Sequence, residues 1–268
     1  MIDPNNNPKN IYYLFNKAKS NKFIEHEQNT FDTSNLSSDP YFSHDLFKKI
    51  LKTLQENYDI QSEFNFAELG GGQGHWANFL QKQIPNSNGF VCDISIKNLE
   101  KAPANLKKVY ANIIEPIFKQ NSMNLLCFFV SLHHIKTNDI VVCLKEAYKA
   151  LAPNGILLIF EPNKRFFIRQ LIYKSPFSKD IYHDEHEQAL NFDQIKKISI
   201  KMGFKEIKTE FLNPKYNLQF VKKLKLWYLY FPMVQLLYIL DKYILISKWK
   251  KYFTLYGLSI FQKPLENI

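Results

Sequence analysis

Four of the chain's eight glycines fall within five residues, Gly70-Gly71-Gly72-Gln73-Gly74. Glycine lets a backbone turn through the left-handed region and lets a ligand approach without interference from a Cβ. The run follows an apolar stretch of strand length at 64–69 and precedes a helical stretch at 76–83. A strand, a glycine turn and a helix with open N–H groups form a natural seat for a nucleotide-like ligand. Asp93 lies 21 residues beyond Gly72, at the end of the next apolar run. That spacing suits a carboxylate that hydrogen-bonds both hydroxyls of a ribose.

The rest of the chain continues the alternation. Strand-length apolar runs stand at 89–92, 125–130, 156–160, 204–212 and 255–261. Between them lie helical stretches at 96–102, at 137–151 with Val141, Leu144, Tyr148 and Leu151 on one face, and at 187–203. The last is opened by Asn191 or Asp193 and stopped by Gly203. Such alternation predicts a parallel sheet covered by helices, an α/β, Rossmann-like, doubly wound fold. Ahead of it, Leu46, Phe47, Ile50, Leu51 and Leu54 recur at helical spacing. Residues 1–60 are therefore expected to form an N-terminal helical cover, which closes over a site or packs beside the sheet. Residues 61–268 form the main domain.

Hydrophobic residues make up 46% of the chain and charged residues 22%, which excludes disorder throughout. The net charge of +10 is concentrated: residues 215–251 hold eight lysines against the single Asp241, or +7. The remainder is near neutral, which argues against a nucleic-acid partner. Cys92, Cys127 and Cys143 have no CxxC spacing and read as small buried hydrophobes of a reducing compartment. The polar N-terminus lacks a signal-peptide core, so the cytoplasm is expected. Tyr182-His183-Asp184-Glu185-His186-Glu187 looks like a metal cluster. Apart from His183 and Glu187, however, its ligands are adjacent instead of spaced along a helix face. No metal is expected, and Tyr182 and His183 are read as lining an acceptor pocket.

Gly72-x-Gly74-x-x-Ala77 also fits a permissive dinucleotide-binding fingerprint, which leaves an NAD(P)-binding oxidoreductase as a rival. Two features oppose it. Glu68 stands before the glycines, where a carboxylate can face an ammonium group, and Trp76 at the helix start would crowd a pyrophosphate. Four motifs occur in order across residues 65–204: Glu68 to Gly74; Val91-Cys92-Asp93-Ile94-Ser95; Leu125 through Ser131-Leu132-His133-His134-Ile135; and Leu144-Lys145-Glu146 through Leu151-Ala152-Pro153-Asn154-Gly155 to Glu161-Pro162. With these the chain resembles the class I S-adenosylmethionine-dependent methyltransferases, in particular the ubiquinone-biosynthesis-like (methyltransferase type 11) subgroup.

The resemblance implies a seven-stranded sheet with an antiparallel last strand, and S-adenosylmethionine as cofactor. It implies that Gly70, Gly72 and Gly74 wrap the methionine and ribose portions, with Glu68 near the amino group. Asp93 grips the ribose diol, Ile94 lies against the adenine, and Val130 joins the cofactor contacts. Asn112 stands where relatives usually carry Asp to reach the adenine amino group; an amide oxygen accepts that bond too, more weakly. Asn124 replaces another Asp, at a strand start. A non-catalytic, membrane-associated binding protein that keeps the cofactor fold is the alternative from another class.

Methyl transfer needs alignment more than covalent help, and a base only where the acceptor is protonated. His133 and His134 follow the fourth strand and are candidates for that base, or for bonds to their own loop. Glu161 either orients an acceptor or caps the turn that Pro162 enforces. Residues 224–246 have nearly the length of a membrane span but are interrupted by Lys225, Pro232, Gln235, Asp241 and Lys242. Two helices meeting near Pro232 or Asp241 are expected. They either cover the pocket or form a dimer contact, or they lie at an anionic membrane surface, which would suit a lipid-like acceptor.

Overall fold

The structure is a computed structural model and describes residues 44–57, 64–84, 86–167, 188–213, 227–243 and 247–265. Helix α1 (His44–Asn57) precedes an alternating series: β1 (Asn65–Leu69), α2 (His75–Gln83), β2 (Asn88–Asp93), α3 (Ile96–Lys101), β3 (Lys107–Tyr110) and β4 (Met123–Phe129). The chain continues through α4 (Thr137–Ala150), β5 (Leu151–Pro162), α5 (Phe192–Lys201), β6 (Lys205–Leu212), α6 (Trp227–Tyr243), α7 (Ser247–Phe253) and β7 (Tyr256–Gln262). The strands form one sheet in the order β3-β2-β1-β4-β5-β7-β6. Pairs among β1 to β5 are parallel, and β7 runs antiparallel to both β5 and β6.

Period-two alternation explains why helices cover both faces. On β4, Leu126 and Phe128 join a core with Ile140, Cys143, Leu144 and Ala147 of α4 and Phe192 and Ile195 of α5. Leu125, Cys127 and Phe129 face the other way, into a core with α1, α2 and α3. The amphipathic N-terminal helix thus packs beside the sheet. Phe47 of α1 meets Trp76 at 5.3 Å between ring centroids, and Trp76 stacks on Phe129 at 5.7 Å. Trp76 is 1% exposed, so its indole points into this core and does not crowd the glycine turn as the sequence suggested. All three cysteines are buried and free, and burial pushes each thiol upward.

Two elements differ from expectation. β3 reads Lys-Lys-Val-Tyr, with only Val109 buried, and no apolar run announces it. In the basic aromatic region, the helices do not meet at Pro232 or Asp241. α6 runs through Pro232 to Tyr243, and the second helix begins at Ser247. Asp241 instead fastens the pair. Its Oδ2 accepts the Asn213 N–H at 2.8 Å, and its Oδ1 meets Lys250 Nζ of α7 at 2.8 Å. Among the described residues, no helix is long and apolar enough to cross a membrane.

Candidate active site

The C-terminal ends of β1, β2, β4 and β5 share one edge of the sheet. The winding reverses between β1 and β4, and a crevice opens at such a reversal. On the β1 side lies the glycine turn, with Gly70, Gly72 and Gly74 all at positive φ (68°, 55° and 68°). The N–H groups of Gly70 and Gly71 donate to Cys92 O at the end of β2, which ties the turn to that strand. The glycines serve different ends. A Cβ on Gly70 would come within 2.7 Å of Ser131 Cβ, and one on Gly74 within 2.9 Å of Leu106 Cδ1. At Gly72 a Cβ would meet nothing nearer than Asn98 Nδ2 at 4.0 Å. Gly70 and Gly74 are therefore small because the fold is close there, whereas Gly72 borders open space.

Asp93 stands beside that space. Its Oδ2 accepts the Gly72 N–H at 2.7 Å and its Oδ1 the Ser95 N–H at 2.8 Å. A carboxylate can accept about four hydrogen bonds, and two backbone donors aim this one. Half-buried Ile94 follows it on the same edge. Glu68 lies beneath the turn, 4% exposed, and its Oε2 accepts the N–H of Ala77 in the first turn of α2 at 2.9 Å. Gly74 at the helix N-cap has no side chain to offer, so an acid from β1 supplies the cap. Burial pushes the Glu68 carboxyl up to about 8; the Ala77 N–H opposes this rise, and the nearby Asp93 charge adds to it.

Across the crevice, β4 is followed by Val130, whose φ of 57° is a strained conformation for a β-branched residue. The kink sends Ser131 towards the glycine turn, where its Oγ donates to Leu69 O at 2.8 Å. A short 3-10 turn, Leu132–His134, follows. Glu161, wholly buried on β5, holds it. One oxygen accepts the N–H groups of Ser131 and Leu132 at 2.7 Å each, and the other lies 2.8 Å from His133 Nδ1. Glu161 thus secures the turn after β4, not the one at its own Pro162. Burial pushes its carboxyl up to about 7, although the backbone N–H groups of Ser131, Leu132 and His133 and the nearby His134 ring pull the other way. His133 is 5% exposed; the His134 ring, more open, lies 4.0 Å away between centroids.

Asn112 is 8% exposed, and its Oδ1 accepts the Ile114 N–H at 3.2 Å, shaping the loop after β3. Asn124 is structural: its Oδ1 takes the Asn65 N–H at 2.8 Å and joins the starts of β1 and β4. Tyr182 and His183 lie outside the described residues. Gln188, just after them, donates its N–H to His133 O at 2.9 Å. Among the described residues, no group of three or more His, Cys, Asp and Glu side chains is placed to hold a metal. Three positioning residues were not singled out from sequence: Ser131, Gln188 and Asn163. Asn163 is 1% exposed and donates from Nδ2 to Lys251 O and Thr254 O, at 2.7 and 3.0 Å. Only its place directly after Pro162 hinted at a role.

Fold and turn together define a class of protein that holds a nucleoside-type cofactor at the β1/β4 reversal. A sequence model described as a methyltransferase domain matches residues 42–209, and the chain belongs to that family. It is a class I methyltransferase whose methyl donor is S-adenosylmethionine. Solved structures share the fold. A cyclopropane synthase from Mycobacterium tuberculosis superposes with a TM-score of 0.62 at 12% identity, covering 92% of this chain and all 100% of the other. A methyltransferase from Archaeoglobus fulgidus gives 0.54 at 15% identity, covering 82% and 94%. Phosphoethanolamine N-methyltransferase 2 of Haemonchus contortus gives 0.56 at 18% identity, covering 82% of this chain and 53% of that one. An uncharacterised protein of Methanocaldococcus jannaschii is 24% identical over 132 residues, which span 49% of this chain and 56% of the relative. The family is one of methyltransferases, which favours neither the oxidoreductase nor a non-catalytic binding protein.

The residues fit the cofactor on one observation above all: the open space over Gly72, bordered by the aimed carboxylate of Asp93.

Proposed function

We propose that the chain methylates a hydroxyl or an amine of a small, lipid-like acceptor in the cytoplasm, with His133 as general base and Glu161 as its positioning residue. The observation that carries this reading is the buried His133–Glu161 pair, fixed at the sheet edge where Asp93 and Gly72 stand. Bound S-adenosylmethionine supplies a methyl group already activated on a sulfonium.

The chain's own residues then have three tasks. Gly72 leaves room for the ribose portion, and Asp93 accepts from its hydroxyls, with Ile94, Asn112 and Val130 around the adenine. Glu68, neutral in its buried place, ionises readily when an ammonium group comes near, because an opposite charge favours the carboxylate. Glu161 fixes the His133 ring so that Nδ1 donates to it and Nε2, on the far side of the ring, takes the acceptor's proton. His134 is the second candidate for that role, and Tyr182 and His183 belong to the acceptor pocket.

The test is a methyl-transfer screen with radiolabelled donor on cell extract divided into water-soluble and lipid phases. Label entering a small molecule of the lipid phase, lost with His133→Ala while S-adenosylhomocysteine still binds, is the expected result. Label confined to protein or nucleic acid would overturn the acceptor class. Full activity in His133→Ala would remove the base.

A further inference from the structure

We propose that α6 and α7 form a docking face for an anionic membrane surface, placed beside the acceptor edge of the site. The inference deepens the lipid-like acceptor above and rests on that reading only for what the surface would deliver. Docking itself depends on α6 and α7 alone.

The argument starts from an inversion of the usual pattern. On α6, Tyr228, Pro232, Leu236 and Ile239 recur at spacings of four, four and three, which is one helix face. In a globular protein such a stripe faces the core. Here it faces out: Tyr228 is 57% exposed, Leu236 55% and Ile239 48%. On α7, Trp249 is 60% exposed and Tyr252 37%. Contiguous exposed apolar surface marks an interaction site, and aromatic rings with aliphatic side chains suit the boundary between headgroups and acyl chains.

Charge then selects the partner. Along α6 and α7 the sequence carries Lys242, Lys248, Lys250 and Lys251 against Asp241 alone, a balance of +3. The one acid is neutralised by Lys250 and lies only 11% exposed, so it adds no repulsion at the face. Lys251 Nζ sits over the Tyr252 ring at 5.4 Å, placing a cation directly beside an exposed aromatic. A second copy of this chain would bring the same positive charge onto the same face and repel it. An anionic bilayer offers the opposite charge and an apolar layer below it.

Position completes the argument. Asn163 donates to Lys251 O and Thr254 O, and Asn213 donates to Phe253 O, which pins α7 against the ends of β5 and β6. Asn163 comes two residues after Glu161, which holds His133. A membrane meeting α6 and α7 would lie at the edge where the acceptor must approach.

Sedimentation of the full chain with vesicles tests this without any catalytic readout. The chain should sediment with vesicles of phosphatidylcholine mixed with phosphatidylserine at low salt, and remain in solution with phosphatidylcholine alone. Lys251→Gln should weaken that binding by about five-fold, and raised salt should abolish it. The double variant Leu236→Asp/Ile239→Asp should lose binding while its circular dichroism and its affinity for S-adenosylhomocysteine stay unchanged. Equal binding to both vesicle types, or no binding to the anionic ones at low salt, overturns the proposal. So does a dimer in sedimentation velocity that the double variant dissolves, because the face would then join two copies. A chain that binds vesicles yet labels only water-soluble acceptors leaves docking intact and refutes the lipid-like acceptor instead.

Discussion

Glu161 holds His133 from the neighbouring strand: its Oε2 lies 2.8 Å from Nδ1, while Oε1 accepts the N–H groups of Ser131 and Leu132 at 2.7 Å each. One buried carboxyl therefore sets both the ring and the turn that carries it. Ser131 links that turn to the glycine run through Leu69 O, so both sides of the crevice are built to one geometry.

Removing this carboxyl should cost stability as well as activity. Glu161→Leu leaves buried donors on Ser131 and Leu132 unmet, and each costs about 1–3 kcal/mol. A loss of about 2–6 kcal/mol in urea unfolding is expected, together with loss of methyl transfer. Glu161→Gln keeps an acceptor and should lose much less stability while still depressing turnover. Equal stability of all three proteins would deny the carboxyl its structural part.

The pair also fixes a pH dependence. Burial holds the Glu161 carboxyl up to about 7, and once it ionises its charge lies against His133 Nδ1 and favours a ring that takes a proton, so turnover should rise through about pH 7 and level off above it. Initial rates at saturating donor across pH 5.5 to 9, chosen to span about two pH units either side of that value, report it. A flat profile would leave His133 a structural residue.

Stability should move the opposite way. Glu68 and Glu161 sit above the ordinary carboxyl value of 4.5 when folded, at about 8 and about 7. Between 4.5 and those values the folded chain holds protons that the unfolded chain releases, so stability falls as pH rises. The decline ends near 7 for Glu161 and near 8 for Glu68. Glu68→Gln retains an oxygen for the Ala77 N–H and should flatten the upper part of the decline, read as the urea midpoint at each pH. An unchanged slope would mean that Glu68 is not the group that titrates.

Much of this could be read from the chain itself, because periodicity and glycine placement are local signals. The runs that became β1, β2, β4, β5, β6 and β7 were visible in order, as was a cap at Asn191 or Asp193, of which Asn191 is the one, its Oδ1 accepting the Asp193 N–H. β3 was not, because an edge strand with two lysines and one buried valine carries no apolar run. The roles of Trp76, Glu161 and Asp241 were hidden for a different reason. Each depends on a partner far along the chain, as Glu161 depends on residues about 30 positions before it. Spacing along a sequence does not show such a meeting.

Asp241 gives that point a test of its own. Asp241→Ala removes the acceptor for Asn213 N–H and the partner of Lys250, so α6 and α7 should loosen from β6. Faster amide exchange confined to residues 227–253, with the sheet still protected, is expected. Unaltered exchange there would show that packing alone holds the two helices.

Gly72→Val places a β-branched side chain at φ 55° and fills the space beside Asp93. The strain costs about 1–3 kcal/mol, which a domain of this size can bear, so the chain should fold but not bind cofactor. Native circular dichroism with retained binding would move the cofactor elsewhere.

The central claim is that Asp93 and the glycine turn hold S-adenosylmethionine, and calorimetric titration with S-adenosylhomocysteine tests it most directly. The account predicts one site in the unaltered chain and an affinity lower by about 10- to 150-fold in Asp93→Ala, the loss expected for a hydrogen bond to a charged acceptor. Equal affinity in the two proteins, or no binding to the unaltered chain, would contradict it.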